Sequence, residues 1–251
     1  MKRVISLVLL CCTMATMATA QTGKGIFSIK PMAGINVSTF SGGVVSDMYH
    51  TKVGFTAGME AESGLNNWLG LSLGIVYSQQ GAKVDGSLSA LFTDNSTGKS
   101  GLIVTDNNGK VHCDYLNLPL LANIHIPALH GLSLKTGIQM GFLVKSQMNL
   151  STDAAIFYDY VTSASYNYEP HYWNLQDANA GDSHFSHYES NMSDICKSID
   201  IGIPIGLSYE YKNVVLDVRY CFGLTKIDNT QEPEDTRNRT LSVTLGYNFK
   251  L

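Results

Sequence analysis

The sequence predicts an all-β fold: an eight-stranded antiparallel up-and-down transmembrane β-barrel with short periplasmic turns and long extracellular loops. Three observations predict it. Apolar side chains recur at every second position in eight segments. Short and long connections alternate between those segments. The positions between the apolar ones combine charges with abundant glycine. A strand points successive side chains to opposite faces, so each segment carries one apolar and one polar face. A soluble barrel or sandwich would turn the apolar faces inward. A membrane barrel turns them to lipid and lines its lumen with the polar ones.

The chain starts with a targeting segment. Lys2 and Arg3 precede an apolar run from Val4 to Cys12, and Ala18-Thr19-Ala20 forms a small-x-small cleavage site before Gln21. Residues 1–20 are therefore expected to be a signal peptide and residues 21–251 the barrel domain. The apolar run is shorter than the ~20 residues of a spanning helix. Leu10 stands before Cys11 where a lipoprotein site has a small residue, so lipidation is not expected.

The eight segments follow in order. Phe27, Ile29, Pro31, Ala33, Ile35 and Val37 make the first apolar face, and Val53, Phe55, Ala57, Met59 and Ala61 the second. The third is Leu69, Leu71, Leu73, Ile75 and Tyr77; the fourth runs on alternate residues from Leu116 to Ile126. The fifth runs from Leu132 to Val144, the sixth from Ile199 to Tyr211, the seventh from Val214 to Leu224 and the eighth from Leu241 to Leu251. None of these outward positions is charged. Residues 63–66, 127–131 and 212–213 are short turns, whereas 38–51, 81–110, 148–195 and 227–237 are long. Such alternation is the outer-membrane pattern. Tyr209, Tyr211, Tyr247 and Phe249 fall outward near the short turns, where an interfacial girdle belongs. Glycines such as Gly34, Gly58, Gly137 and Gly206 relieve crowding in a lumen barely wide enough for its own side chains.

Charged residues are 15% of the chain, against about 25% in a soluble domain. The net charge is −4, with no basic excess to neutralise phosphates, so nucleic acid is not an expected partner. Cys113, Cys196 and Cys221 remain after the leader and match no zinc motif. Cys113 and Cys196 sit near strand–loop junctions, which leaves both a disulfide and free thiols open.

The segments Leu69–Val84 (LGLSLGIVYSQQGAKV), Asp114–Ile126 (DYLNLPLLANIHI), Lys135–Lys145 (KTGIQMGFLVK), Ser198–Tyr211 (SIDIGIPIGLSYEY), Leu216–Ile227 (LDVRYCFGLTKI) and the ending LGYNFKL carry a family likeness. On them the chain resembles the PorT-like outer-membrane β-barrel family of the Bacteroidota, small barrels of the OmpA/OmpX type. The resemblance implies an eight-stranded outer-membrane barrel. One family member assists type IX secretion, and the family has no established catalytic residues to transfer.

Candidate functional residues fall into two groups. Inward charges of mixed sign, Lys30, Glu60, Lys135, Asp200, Glu210, Asp217 and Arg219, are expected to pair as a lumenal network; Lys52, Glu62 and Lys145 share their face. Charges in a low-dielectric interior must be paired. The 148–195 connection lacks Lys and Arg and is rich in acids and aromatics, with Tyr166, Tyr168, Tyr172, Trp173 and Tyr188 as a candidate recognition surface. His184 and His187, one helical turn apart, could join His171 as imidazole donors, but no ligand completes a motif, so neither metal nor cofactor is expected. His112 with Ser78 or Ser146 is the sole acid–base pairing to consider, and no hydrolase signature supports it.

These readings predict a non-enzymatic, monomeric outer-membrane barrel that presents loops for surface interaction or envelope integrity. Its expected partners are outer-membrane lipid and lipopolysaccharide, and a surface or envelope protein or glycan. An accessory role in secretion or envelope assembly is the alternative, and a lipid-modifying enzyme the third reading.

Overall fold

The computed structural model describes residues 27–42, 46–93, 100–158, 183–193, 196–227 and 235–251. Residues 1–20, the expected signal peptide, lie outside them. The elements are β1 (Phe27–Ser41), β2 (Tyr49–His50), β3 (Lys52–Gly64), β4 (Leu69–Thr93), β5 (Ser100–His125), β6 (Leu132–Tyr158), β7 (Ser183–Ser193), β8 (Ile199–Tyr211), β9 (Val214–Gly223), β10 (Arg237–Tyr247) and β11 (Phe249–Lys250). Eight of them form a ring in the order β1, β3, β4, β5, β6, β8, β9, β10. It closes where Met32–Ser41 pairs antiparallel with Gly246–Arg237. Every strand of the ring thereby has a partner on both sides, so no open edge faces the hydrocarbon interior.

The faces fall as the alternation dictates. Ile35, Val53, Met59, Ile138, Leu207 and Leu245 are more than half exposed, whereas Ser28, Asn36, Ser72, Asn123 and Thr244 are buried. Exposed large apolar side chains run round all eight ring strands, a continuous surface of a kind soluble monomers rarely carry. It is a lipid-facing surface. Tyr209, Tyr211, Tyr247 and Phe249 stand exposed at its lower rim, and Trp68 is exposed in the turn before β4, where amphipathic rings anchor a barrel.

The short turns are built from their own residues. Lys212 and Asn213 both adopt positive φ (47° and 69°), as a two-residue type I′ hairpin demands. In the first turn the Asn66 side-chain oxygen accepts the backbone N–H groups of Trp68 (2.9 Å) and Leu69 (2.8 Å).

Two features depart from the expected pattern. Residues 81–110, read as a loop, are mostly strand: β4 and β5 stay paired out to Thr93 and Ser100. Likewise β6 continues to Tyr158 and pairs with β7, so much of the 148–195 connection is hairpin. At 25, 26 and 27 residues, β4, β5 and β6 far exceed the roughly 9–11 residues of a spanning strand. Their surplus, with β7, stands above the membrane as a four-stranded fin. Asn107 stitches it, donating to the Gly86 carbonyl (3.4 Å) and accepting from the Thr152 hydroxyl (2.9 Å).

The second departure is a β-bulge. The β5–β6 register slips between Asp114, opposite Lys145, and Tyr115, opposite Leu143. One extra residue in β6 reverses its faces from there on. Lys145, expected inward, is exposed, while Met148 and Leu150 pack inside.

Candidate functional site

Five strand-borne side chains meet in the lumen. Lys30 on β1 and Glu60 on β3 are register partners and pair at 2.8 Å. Asp217 and Arg219 lie two apart on β9, and so share a face. Lys135 on β6 and Arg219 both stand opposite Gly206. A Cβ at Gly206 would press on the Val218 carbonyl oxygen and on Arg219 Cα and Cβ, so glycine there lets β8 and the Arg219 side of β9 pack closely. Glu60 also receives Arg219 (2.8 Å) and Lys135 (3.6 Å). Asp217 receives Lys135 (2.9 Å), Arg219 (3.1 Å) and Lys30 (3.5 Å). All five side chains are less than a tenth exposed. Three cations share two carboxylates, so the cluster carries one surplus positive charge.

Asp200 and Glu210 do not join it. Asp200, near the extracellular end of β8, accepts the Thr225 hydroxyl (2.6 Å) and the Asn238 amide (2.8 Å). Glu210, at the periplasmic end, pairs with Lys250 (2.6 Å) and accepts from Asn248 (2.9 Å). Lys52 donates to the Gln80 carbonyl (2.8 Å).

Above the ion cluster lies a polar layer. The Asn36 amide donates to Ser78 Oγ (2.7 Å), Gln80 Nε2 donates to the same oxygen (3.2 Å), and Thr240 donates across the lumen to Gln80 Oε1 (3.2 Å). The space left among Met32, Val76, Asn117, Arg219 and Cys221 is about 30 Å³, room for a water molecule or two. Higher still, Phe40, Ala82, Val84, Val111, Tyr115 and Ile227 form an apolar cap, with Phe40 edge-on to Tyr49 at 5.3 Å. The bore is thus blocked three times.

Below the cluster a cavity of about 680 Å³ faces the periplasmic end. His125 hangs at its rim, with Nδ1 bonded to Ser133 Oγ and Nε2 to Glu62 Oε1, both at 2.8 Å. Sequence reasoning named Glu62 but missed His125 and Ser133. Both lie on inward positions of their strands, and that parity was the available signal. The chain of bonds ties β3, β5 and β6 together and fixes the ring.

The other candidates separate. Ser78 belongs to the polar layer. Ser146 is buried in the lumen, and strand alternation turns His112 to the opposite side of β5 from Cys113, the register partner of Ser146. His112 therefore faces neither serine. His184 and His187 lie on a strand rather than a helical turn, and His187 Nδ1 bonds Asp153 (2.6 Å). No three-residue group suited to a metal occurs among the described residues. Tyr166, Tyr168, Tyr172, Trp173 and His171 lie outside the described residues. Tyr188 falls on β7 opposite Thr152.

A closed eight-strand ring with a lipid-facing wall and a filled bore defines a small outer-membrane β-barrel. The chain belongs to the outer membrane protein beta-barrel domain family, which matches residues 19–229. Among solved structures it is similar to Ail, the attachment invasion locus protein of Yersinia pestis, at 15% identity over 90% of this chain and 100% of that one, with a TM-score of 0.37. Neisserial surface protein A is 14% identical over 89% and 97%, with a TM-score of 0.34. The N-terminal β-barrel domain of Pseudomonas aeruginosa OprF is 11% identical over 90% and 100%, with a TM-score of 0.29. No curated protein matches the chain.

Proposed function

We propose that this protein is a plugged, non-enzymatic and monomeric barrel whose role lies in the surface it displays. The β4–β7 fin and the connection beyond it present strand edges, acids and aromatics to a protein or glycan partner. The barrel below is an anchor in outer-membrane lipid and lipopolysaccharide. The observation that carries this reading is strand length: β4, β5 and β6 continue well past what crossing requires. This reading takes residues 1–20 as an export signal removed before insertion. Within the fin connection, Tyr166, Tyr168, Tyr172, Trp173 and Tyr188 are the proposed contact residues.

Ser151 and Glu189 are register partners, so replacing residues 152–188 with Asn-Gly should remove the five contact residues, shorten the fin and spare the barrel. The shortened protein should keep its heat-modifiable mobility on gels. It should lose at least tenfold in capture of cell-surface proteins crosslinked in place or of arrayed glycans. Equal capture by the two forms would defeat the proposal.

The likeness of the quoted strands to PorT-like barrels of the Bacteroidota supports a second reading, an accessory role in secretion. A deletion strain would then show altered exported proteins with no change in adhesion.

A further inference from the structure

We propose that Cys113 and Cys196 form a disulfide that pins the end of the long third connection to the barrel wall. Cys113 lies on β5, and Cys196 precedes β8. Both belong to the apolar cap, at 0% and 6% exposure. They stand as two thiols within one packed cluster, hydrogen-bonded to each other, although 82 residues lie between them in sequence. Lys197, next to Cys196, donates its N–H to the Ile227 carbonyl (2.6 Å), so the backbone on that side is held in place. Cys221 is set apart on β9: it lines the inner cavity and packs against Gly202.

An exported chain passes through an oxidising compartment. The two thiols give up two electrons and two protons to the disulfide of an envelope thiol–disulfide oxidoreductase. The new S–S bond forms, and the oxidoreductase leaves as a dithiol. Because both sulfurs are sealed in the folded barrel, exchange precedes closure of the ring, while the chain crosses the periplasm. The bond then survives in a cap that excludes reductant. It ties the base of the 159–195 connection to β5 at the root of the fin.

Trypsin separates the three cysteines cleanly. Cys113 falls in peptide 111–135, Cys196 in 146–197 and Cys221 in 220–226. Full-length protein exported in its native envelope is unfolded in N-ethylmaleimide at lysis, then digested without reduction. The expected result is peptide 111–135 joined to 146–197, two hydrogens lighter than their sum, with peptide 220–226 alkylated. In Cys196→Ser the joined species should vanish and Cys113 should take the label. Alkylation of both Cys113 and Cys196 in the wild type would overturn the proposal, as would a link through Cys221.

Discussion

Glu60→Gln should destabilise the barrel by about 3–5 kcal/mol, the cost of breaking a buried ion pair and leaving its partners uncompensated. Glu60 receives three cations, each at 3.6 Å or closer. Its loss leaves Lys30, Lys135 and Arg219 sharing Asp217 alone. The native cluster already carries one cation too many, which gives the prediction a sign. Lys135→Met removes the surplus charge and keeps much of the side-chain volume, so it should cost clearly less than Glu60→Gln. Urea titration of the heat-modifiable fraction in detergent micelles measures both. If Glu60→Gln cost under about 0.5 kcal/mol, or Lys135→Met cost more than Glu60→Gln, the charge cluster would not be what holds the strands together.

Leu245→Arg should cost about 1–3 kcal/mol in a bilayer, between the figures for a cation on the lipid face at the interface and at the midplane. Leu245 is 60% exposed and pairs with Ala33 and Leu216, two residues above Tyr247 at the lower rim. In a soluble protein a substitution at so open a position stays within about 0.5 kcal/mol. Folding equilibria in lipid vesicles therefore report what surrounds the wall. A neutral outcome would mean that this face meets water and that inside and outside are exchanged.

How far the sequence was legible follows from what strand alternation encodes. It encodes which face a residue takes, and that placed Lys30, Glu60, Lys135, Asp217 and Arg219 inward. It does not encode height. Asp200 and Glu210 share a face of β8 but lie ten residues apart, about 33 Å along a strand, so they end in different layers. Lys145 was misplaced because a bulge adds one residue with no compositional mark, and a one-residue slip reverses a face. The fin was read as loop for a different reason. Around Asp85-Gly86-Ser87 and Asp106-Asn107-Asn108-Gly109 both faces of the sheet leave the membrane, so the contrast between apolar and polar positions fades while the ladder continues. The Ser133–His125–Glu62 chain joins three strands, and contacts of that range leave no local pattern.

The bore of this barrel is closed. The ion cluster, the polar layer and the apolar cap each span it, and an eight-stranded barrel is just wide enough for its side chains to fill. Single-channel recording of the purified protein in planar bilayers tests this directly. No stable open state is expected under moderate voltage. Long-lived, ion-selective openings that change when Asp217 or Arg219 is neutralised would contradict it, because the charge cluster would then be a conduction path rather than a plug.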